Sequence, residues 1–178
     1  MAHRSLARGT APPNLFVIGV PKAGTTSLVA MLAQHDAVFV PRLKEPTYLD
    51  AEVVYDHPED RPFRSERGYL GLYSGRAAAE ARYRVDGSVF VAYSEEAMRR
   101  ALALSPGGKF ILVTRDPVDA TKSMILQRLK HSMPPLREVE DTIDRCWEKS
   151  LGRDLGLNFP KDCRNRFLFR YDRLYAYD

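Results

Sequence analysis

The fold of this chain is decided by residues 15–27, which read LFVIGVPKAGTTS. The apolar run at 15–20 is continuous rather than alternating, which is typical of a strand covered on both faces in a parallel sheet. Pro21 and Gly24 interrupt the run, and a helix follows. The predicted apolar stripe of that helix consists of Leu28, Met31, Leu32 and His35.

The loop between this strand and helix has the composition of an anion-binding cradle. Backbone N–H groups at a helix start point toward a ligand, and the helix dipole favours negative charge there. Lys22 adds a positive charge, and the hydroxyl groups that follow are those of Thr25, Thr26 and Ser27. The simpler alternative is a strand, turn and helix in which Thr25 caps the helix and Lys22 is solvated.

The loop differs from a Walker A motif, which needs Gly-x4-Gly-Lys-Ser/Thr. Gly19 and Gly24 have the required separation, but Thr25 stands where the lysine belongs and Lys22 lies inside the loop. No segment resembles an apolar strand that ends in a magnesium-binding aspartate, because Asp116 is better placed as a helix N-cap. Magnesium-dependent hydrolysis of a nucleoside triphosphate is therefore disfavoured.

A second strand is predicted at 109–114, followed by Arg115 and a helix that begins at Asp116-Pro117. Strands alternating with helices predict an α/β fold of three layers, P-loop-like, with a mainly parallel central sheet flanked by helices. Shorter helices are predicted at 66–73, from Glu95 behind a Ser94 cap to the break at 106–108, and at 136–151, and strands are predicted at 83–85 and 167–169.

Length and composition limit the other possibilities. The chain has 178 residues and a net charge of +4. We expect a flexible arm at 1–13 and a single domain at 14–178. Its basic residues are spread rather than clustered, so no nucleic-acid partner is predicted. Cys146 and Cys163 form no metal-binding pattern. Neither a membrane-spanning run nor a signal peptide is recognised, and a cytoplasmic location is expected.

Four segments together resemble a known family. The loop VIGVPKAGTTSL (17–28) is similar to the 5′-phosphosulfate-binding loop of sulfotransferases that use 3′-phosphoadenylyl sulfate (PAPS), in their carbohydrate and bacterial branch. KFILVTRDPVDATKS (109–123) is similar to the family's 3′-phosphate motif. The resemblance continues through LAQHDAVFVPRLKEPTYLD (32–50) and RFLFRYDRL (166–174).

The resemblance implies a role for individual residues. Arg115 and Ser123 would hold the 3′-phosphate, and Glu45 would be the base that takes the acceptor's proton. Lys22 would be both catalytic and donor-binding, and Lys44 would either line the donor site or pair with Glu45. The loop residues implied to bind PAPS are Lys22, Ala23, Gly24, Thr25, Thr26 and Ser27.

The implied reaction moves a sulfuryl group from PAPS to a hydroxyl of a small-molecule or carbohydrate acceptor, without a metal. Two departures from the family stand out. Val89 replaces the usual proline after Asp86-Gly87-Ser88, and we find no equivalent of the Gly/Lys-rich C-terminal loop that closes over the adenine. A P-loop-type kinase of small molecules or nucleotides, and a non-catalytic nucleotide-binding module, are the alternatives.

Overall fold

The computed structural model describes residues 10–130, with the side chains of 10–127. The helix predicted at 136–151 and the strand predicted at 167–169 lie outside the described residues.

A four-stranded parallel sheet forms the centre of the described chain. Its strands are β1 (Leu15–Gly19), β2 (Val38–Phe39), β3 (Tyr83–Asp86) and β4 (Lys109–Val113). The strand order is β2-β3-β1-β4, and every pairing is parallel. β1 therefore lies inside the sheet between β3 and β4. The predicted α/β, P-loop-like fold with a parallel sheet and flanking helices is confirmed.

Helices flank these strands in the described part of the chain. They are α1 (Thr25–Leu32), α2 (Ala51–Val54), α3 (Glu66–Leu70), α4 (Arg76–Glu80), α5 (Glu95–Leu104) and α6 (Pro117–Lys130). Short 3₁₀ helices lie at Pro58–Asp60, Gly71–Tyr73 and Val89–Tyr93. The Ser94 cap of α5 is confirmed, because its hydroxyl accepts a hydrogen bond from the Ala97 N–H.

β1 is buried on both faces, as its continuous apolar run predicts. Phe16 and Ile18 pack on one face of the sheet against a cluster that contains Tyr69, Tyr73 and Ala101. The alternate residues Leu15 and Val17 pack on the other face with Val29 of α1. Because successive side chains of a strand point to opposite faces, a run with no polar residue requires cover on both sides.

The predicted stripe of the first helix is wrong in part. α1 ends at Leu32, so His35 lies beyond the helix and is exposed, and Met31 is 67% exposed. Thr25 and Val29, four residues apart, are the buried positions. In a helix of two turns the side that faces the sheet is narrow, and Met31 falls outside it.

Residues 10–13, which the sequence analysis assigned to the end of a flexible arm, pack against the domain. Thr10 forms an antiparallel bridge with Ser74, and the Ala11 N–H donates to the Tyr73 carbonyl over 3.3 Å. Pro13 is fully buried, and the Arg84 Nε donates to the Pro12 carbonyl. In the described chain, residues 10–13 therefore belong to the packed domain, because they bond to backbone and side-chain groups of residues 73–84.

Candidate active site

The predicted anion-binding loop, residues 19–27 and called the phosphate loop below, starts where β1 meets the end of β4. Gly19 has φ +139°, and a Cβ built there would lie 2.0 Å from the Val113 carbonyl oxygen. Only glycine permits this contact between the two strands. Lys22 and Gly24 also have positive φ, at +69° and +94°. Left-handed backbone at a residue with a side chain is uncommon and is often associated with functional sites.

The start of α1 carries no side-chain cap. Gly24 is the N-cap residue and no acidic residue stands in the first turn. The alternative in which Thr25 caps the helix is therefore not what the structure shows. The Thr25 hydroxyl instead accepts a hydrogen bond from Lys44 Nζ over 3.3 Å. The helix start thus retains its positive dipole end with no anionic side chain of its own beside it.

Arg115 joins the two predicted anion-binding segments. It follows β4, and its Nη1 donates to the Lys22 carbonyl over 3.1 Å. Asp116 caps α6, as predicted, because its carboxylate accepts from the Asp119 N–H over 3.0 Å. Ser123 lies further along the same helix. The guanidinium and the phosphate loop are therefore neighbours at the carboxyl edge of the sheet, where α/β proteins bind ligands.

A pocket of about 490 Å³ brings the predicted site together. Its lining includes the predicted residues Lys22, Gly24, Thr25, Thr26, Ser27, Glu45, Arg115 and Ser123. Ala23 is the exception, because its side chain packs against the core cluster that contains Val20 and Met124. Residues from three separated parts of the chain therefore share one pocket of a size typical for small ligands.

Five further residues of this pocket were missing from the predicted site, and they are Pro21, Val89, Phe90, Met124 and Gln127. Gln127 was detectable, because it stands four positions after Ser123 and shares its helix face. Met124 is the next residue after Ser123 and points to a different side of the helix, so it carried no such signal. Val89 and Phe90 carried no signal, since an apolar pair next to a strand usually indicates core. Both also belong to a buried cluster with Val54.

Glu45 and Lys44 form an ion pair at the rim of this pocket. The Lys44 ammonium also contacts the Thr25 hydroxyl, so it links the segment 44–47 to the start of α1. Of the two roles considered for Lys44, pairing with Glu45 is the one observed, and Lys44 is not part of the pocket lining. The Glu45 carboxylate therefore lies beside one cation while it faces the pocket that holds Lys22 and Arg115.

The segment that carries Glu45 is held by the turn after β3. The Gly87 N–H donates to the Lys44 carbonyl, and the Thr47 N–H donates to the Ser88 hydroxyl, each over 3.0 Å. A Cβ on Gly87 would lie 2.9 Å from the Lys44 carbonyl oxygen. Asp86-Gly87-Ser88 is thus a scaffold for residues 44–47, and its three members do not line the pocket.

Asp86 anchors this scaffold from within the core. Its carboxylate accepts from the Tyr69 hydroxyl over 2.6 Å and from the Ser88 N–H over 2.8 Å. Burial raises the pKa of Asp86, although both hydrogen bonds oppose the shift. Burial, followed by the nearby Asp86 charge, raises the pKa of Asp50 to about 8. Both carboxylate oxygens of Asp50 are buried without a hydrogen-bond partner in the described part of the chain.

Two kinds of feature are absent from the described residues. Within residues 10–130 there is no group of three or more His, Cys, Asp or Glu side chains arranged to hold a metal ion. No helix in the same range is long and apolar enough to cross a membrane.

The family model and the similar curated proteins agree on one family. The sulfotransferase family matches residues 13–162. Human bifunctional heparan sulfate N-deacetylase/N-sulfotransferase 3 is 27% identical over 122 residues, which are 68% of this chain and 14% of that protein. Mouse bifunctional heparan sulfate N-deacetylase/N-sulfotransferase 4 shows the same identity and coverage. This chain therefore spans about one seventh of the length of these curated relatives.

The fold also matches a solved structure. A sulfotransferase from Alicyclobacillus acidocaldarius superposes with a TM-score of 0.71 at 22% identity. The match covers 93% of this chain and 64% of that chain. At this identity the likeness establishes the shared fold.

Proposed function

Because the chain belongs to the sulfotransferase family, we propose that it transfers a sulfuryl group from PAPS to a hydroxyl or amino group of a carbohydrate or small-molecule acceptor. The observation that carries the proposal is the single pocket shared by the phosphate loop, Glu45, Arg115 and Ser123. An amine is included beside the hydroxyl because the relatives named above are N-sulfotransferases.

The pocket suits a donor with two anionic ends. The uncapped start of α1, together with Lys22, forms one cationic end. Arg115 forms the other, and its planar guanidinium suits the oxygens of a phosphate. The Ser123 hydroxyl lies on α6 in the same lining and can donate to the same anion. PAPS would supply the sulfuryl group, and these residues would orient its 5′-phosphosulfate and its 3′-phosphate.

Lys22 and Glu45 have different chemical roles in this proposal. In-line transfer of a sulfuryl group builds negative charge on the oxygen that leaves, and Lys22 stabilises that charge. The attacking hydroxyl or amine must lose a proton, and the Glu45 carboxylate accepts it. Its ion pair with Lys44 holds the carboxylate at the pocket rim. Catalysis then rests on positioning and electrostatics, as in phosphoryl transfer.

Nucleotide binding tests the two anionic ends separately. Adenosine 3′,5′-bisphosphate should raise the melting temperature of the protein, whereas 5′-AMP, which lacks the 3′-phosphate, should raise it much less. Arg115→Ala should weaken bisphosphate binding roughly 10–100-fold, since a charge-assisted contact is lost. Arg67→Ala removes an exposed arginine outside the pocket and serves as the control. Equal increases in melting temperature with the two nucleotides would contradict the assignment of Arg115 and Ser123 to the 3′-phosphate.

A transfer assay separates this proposal from the two alternatives. Label from 35S-PAPS should reach hydroxyl or amine acceptors in the presence of EDTA. The missing Walker lysine and the missing magnesium-binding strand end are the reasons for this expectation. A kinase would need magnesium and a nucleoside triphosphate, and a binding module would bind the nucleotide without turnover.

A further inference from the structure

Lys44 lies beside the pocket without belonging to its lining. Its side chain is 21% exposed, and its ammonium contacts both the Thr25 hydroxyl, over 3.3 Å, and the Glu45 carboxylate. Thr25 and Glu45 both line the pocket, although they come from the start of α1 and from the segment 44–47. One cation therefore joins a residue of the proposed donor end to the proposed base.

The turn after β3 fixes the position of Lys44. The Gly87 N–H donates to the Lys44 carbonyl over 3.0 Å. A Cβ on Gly87 would lie 3.2 Å from Cγ and 3.4 Å from Cε of Lys44, so the stem of the lysine packs along the backbone of this turn. A side chain that is already held along its stem loses little further rotamer freedom when its charged end makes a contact. The ammonium is thus placed in advance for both of its partners.

The contact with Lys44 determines what the Thr25 hydroxyl can do. A hydroxyl has one hydrogen to donate and two lone pairs to accept, whereas an ammonium can only donate. The contact therefore uses a lone pair of Thr25 and leaves its hydrogen available. In the described chain the Thr25 hydroxyl makes no other hydrogen bond, and Thr25 is 5% exposed. Because Thr25 lines the pocket at the start of α1, an anion bound there would accept this hydrogen.

Charge balance is a second consequence of the Lys44 ammonium. Glu45 is the only acidic side chain among the described residues that line the pocket, and a bare carboxylate there would repel an anionic donor. With Lys44 beside it, the pair carries no net charge. This balance alone would favour the donor without any contribution from Thr25, so an experiment has to separate the two effects.

We propose that Lys44 is a positioning residue that couples the donor end of the pocket to the base. Its ammonium orients the Thr25 hydroxyl as a hydrogen-bond donor to the 5′-phosphosulfate, and it holds the Glu45 carboxylate for the acceptor. Lys44 itself touches neither the nucleotide nor the acceptor and acts through these two residues. The inference rests on the proposed function, because it assigns a further residue to the same reaction.

Two nucleotides test the donor half of this role. Adenosine 3′,5′-bisphosphate carries a phosphate at the 5′ position, where PAPS carries the phosphosulfate, and 3′-AMP does not. In calorimetric titration of the full chain, Lys44→Met should bind the bisphosphate about 3–10-fold more weakly, because the released hydroxyl samples three rotamers and is no longer polarised by the cation. The affinity for 3′-AMP should keep its wild-type value. An equal loss for both nucleotides would indicate general damage to the pocket and would overturn the inference.

Two double variants separate the hydroxyl from the charge. Lys44→Met/Thr25→Val should bind the bisphosphate no more weakly than Thr25→Val, because both changes act on the same contact. Additive losses would contradict the orientation of Thr25 by Lys44. Lys44→Met/Glu45→Gln should keep most of the loss seen in Lys44→Met. Full recovery of affinity would show that the unbalanced Glu45 charge causes the loss, and the role assigned to Thr25 would then be wrong.

Steady-state transfer tests the other half. Label is followed from 35S-PAPS to a chitosan oligosaccharide, which carries both hydroxyl and amino groups. Lys44→Met should raise the KM for PAPS and also lower kcat, by up to about 100-fold, because a misplaced base slows transfer. Lys44→Arg keeps the charge and can donate to both partners, so it should recover most of both values. Lys109→Met removes a lysine from an exposed position at the start of β4 and should change neither. A wild-type kcat in Lys44→Met would remove the coupling to the base.

The failure of this inference is distinguishable from failure of the proposed function. A wild-type protein that binds the bisphosphate and transfers label, with Lys44→Met unchanged in both, would keep the proposed function and overturn the role of Lys44. A wild-type protein that binds the bisphosphate no better than 3′-AMP and transfers no label would overturn the proposed function, and the inference with it.

Discussion

Lys22 and Glu45 face one pocket with opposite charges, and their backbone settings differ. Lys22 stands in a loop with positive φ between a buried strand and a helix start. Glu45 stands in a segment without regular secondary structure and pairs with its neighbour Lys44. The proposed roles differ accordingly: Lys22 meets the donor before and during transfer, while Glu45 acts only when a proton must be moved.

Glu45→Gln should separate these roles. The amide keeps the size of the side chain but cannot take a proton, so the single-turnover transfer rate should fall by about 10²–10⁴-fold. Bisphosphate affinity should be nearly unchanged, because Glu45 is not among the cationic contacts. Lys22→Ala, in contrast, should lower both affinity and rate. Glu95→Gln, at an exposed position of α5, is the matched control. A near wild-type rate in Glu45→Gln would show that the base lies elsewhere.

At the scale of elements, the segment 44–47 depends on a neighbour for its position. It has no helix or strand of its own, and Thr47 has a positive φ of +48°. Hydrogen bonds from Gly87 and to Ser88 connect it to the turn after β3. The placement of Glu45 is therefore a property of this turn as much as of the segment itself.

Removal of the Ser88 hydroxyl should loosen this connection. In Ser88→Ala the buried Thr47 N–H loses its acceptor, which should lower the free energy of unfolding by about 1–3 kcal/mol. The transfer rate should fall as well, while bisphosphate affinity should be kept, because the phosphate loop makes no contact with Ser88 in the described hydrogen bonds. Urea denaturation and single-turnover assays measure the two effects. Ser74→Ala, at an exposed serine, should change neither. An unchanged rate in a destabilised Ser88→Ala would limit the role of this bond to stability.

At the scale of the whole molecule, buried acids make stability depend on pH. The pKa of Asp50 is raised from 3.8 to about 8, so between these pH values the folded state holds a proton that the unfolded state has released. The free energy of unfolding should therefore fall as the pH rises from about 4 to 8, with a slope of at most about 1.4 kcal/mol per pH unit from this group. Above pH 8 Asp50 is charged in both the folded and the unfolded state, so it adds no further pH dependence to the free energy of unfolding.

Asp50→Asn should flatten this dependence, because the amide is neutral throughout. Urea denaturation at pH 5.5 and pH 8 should show a smaller loss in the variant than in the wild type. Asp36→Asn replaces an exposed acid and should keep the wild-type slope. A wild-type slope in Asp50→Asn would mean that other groups, with Asp86 first among them, cause the pH dependence.

Several features could be predicted because their causes are local. The continuous apolar run of β1 indicated a strand buried on both faces, and Pro21 and Gly24 indicated the break between that strand and the next helix. The Asp116 and Ser94 caps followed from short-range hydrogen bonding. The stripe of α1 was wrong at Met31 and His35 because the length of a helix and the side that packs depend on its neighbours.

The sequence by itself determined the α/β class, the family and the residue types that form the candidate site, since these follow from periodicity, capping and motifs within short stretches. Only the tertiary structure decided that Glu45, Lys22 and Arg115 share one pocket, that Val89 and Phe90 line it, and that Asp86 supports it from the core. The physical reason is that such contacts join residues far apart in the chain, and their geometry is set by the packing of the whole sheet and its helices.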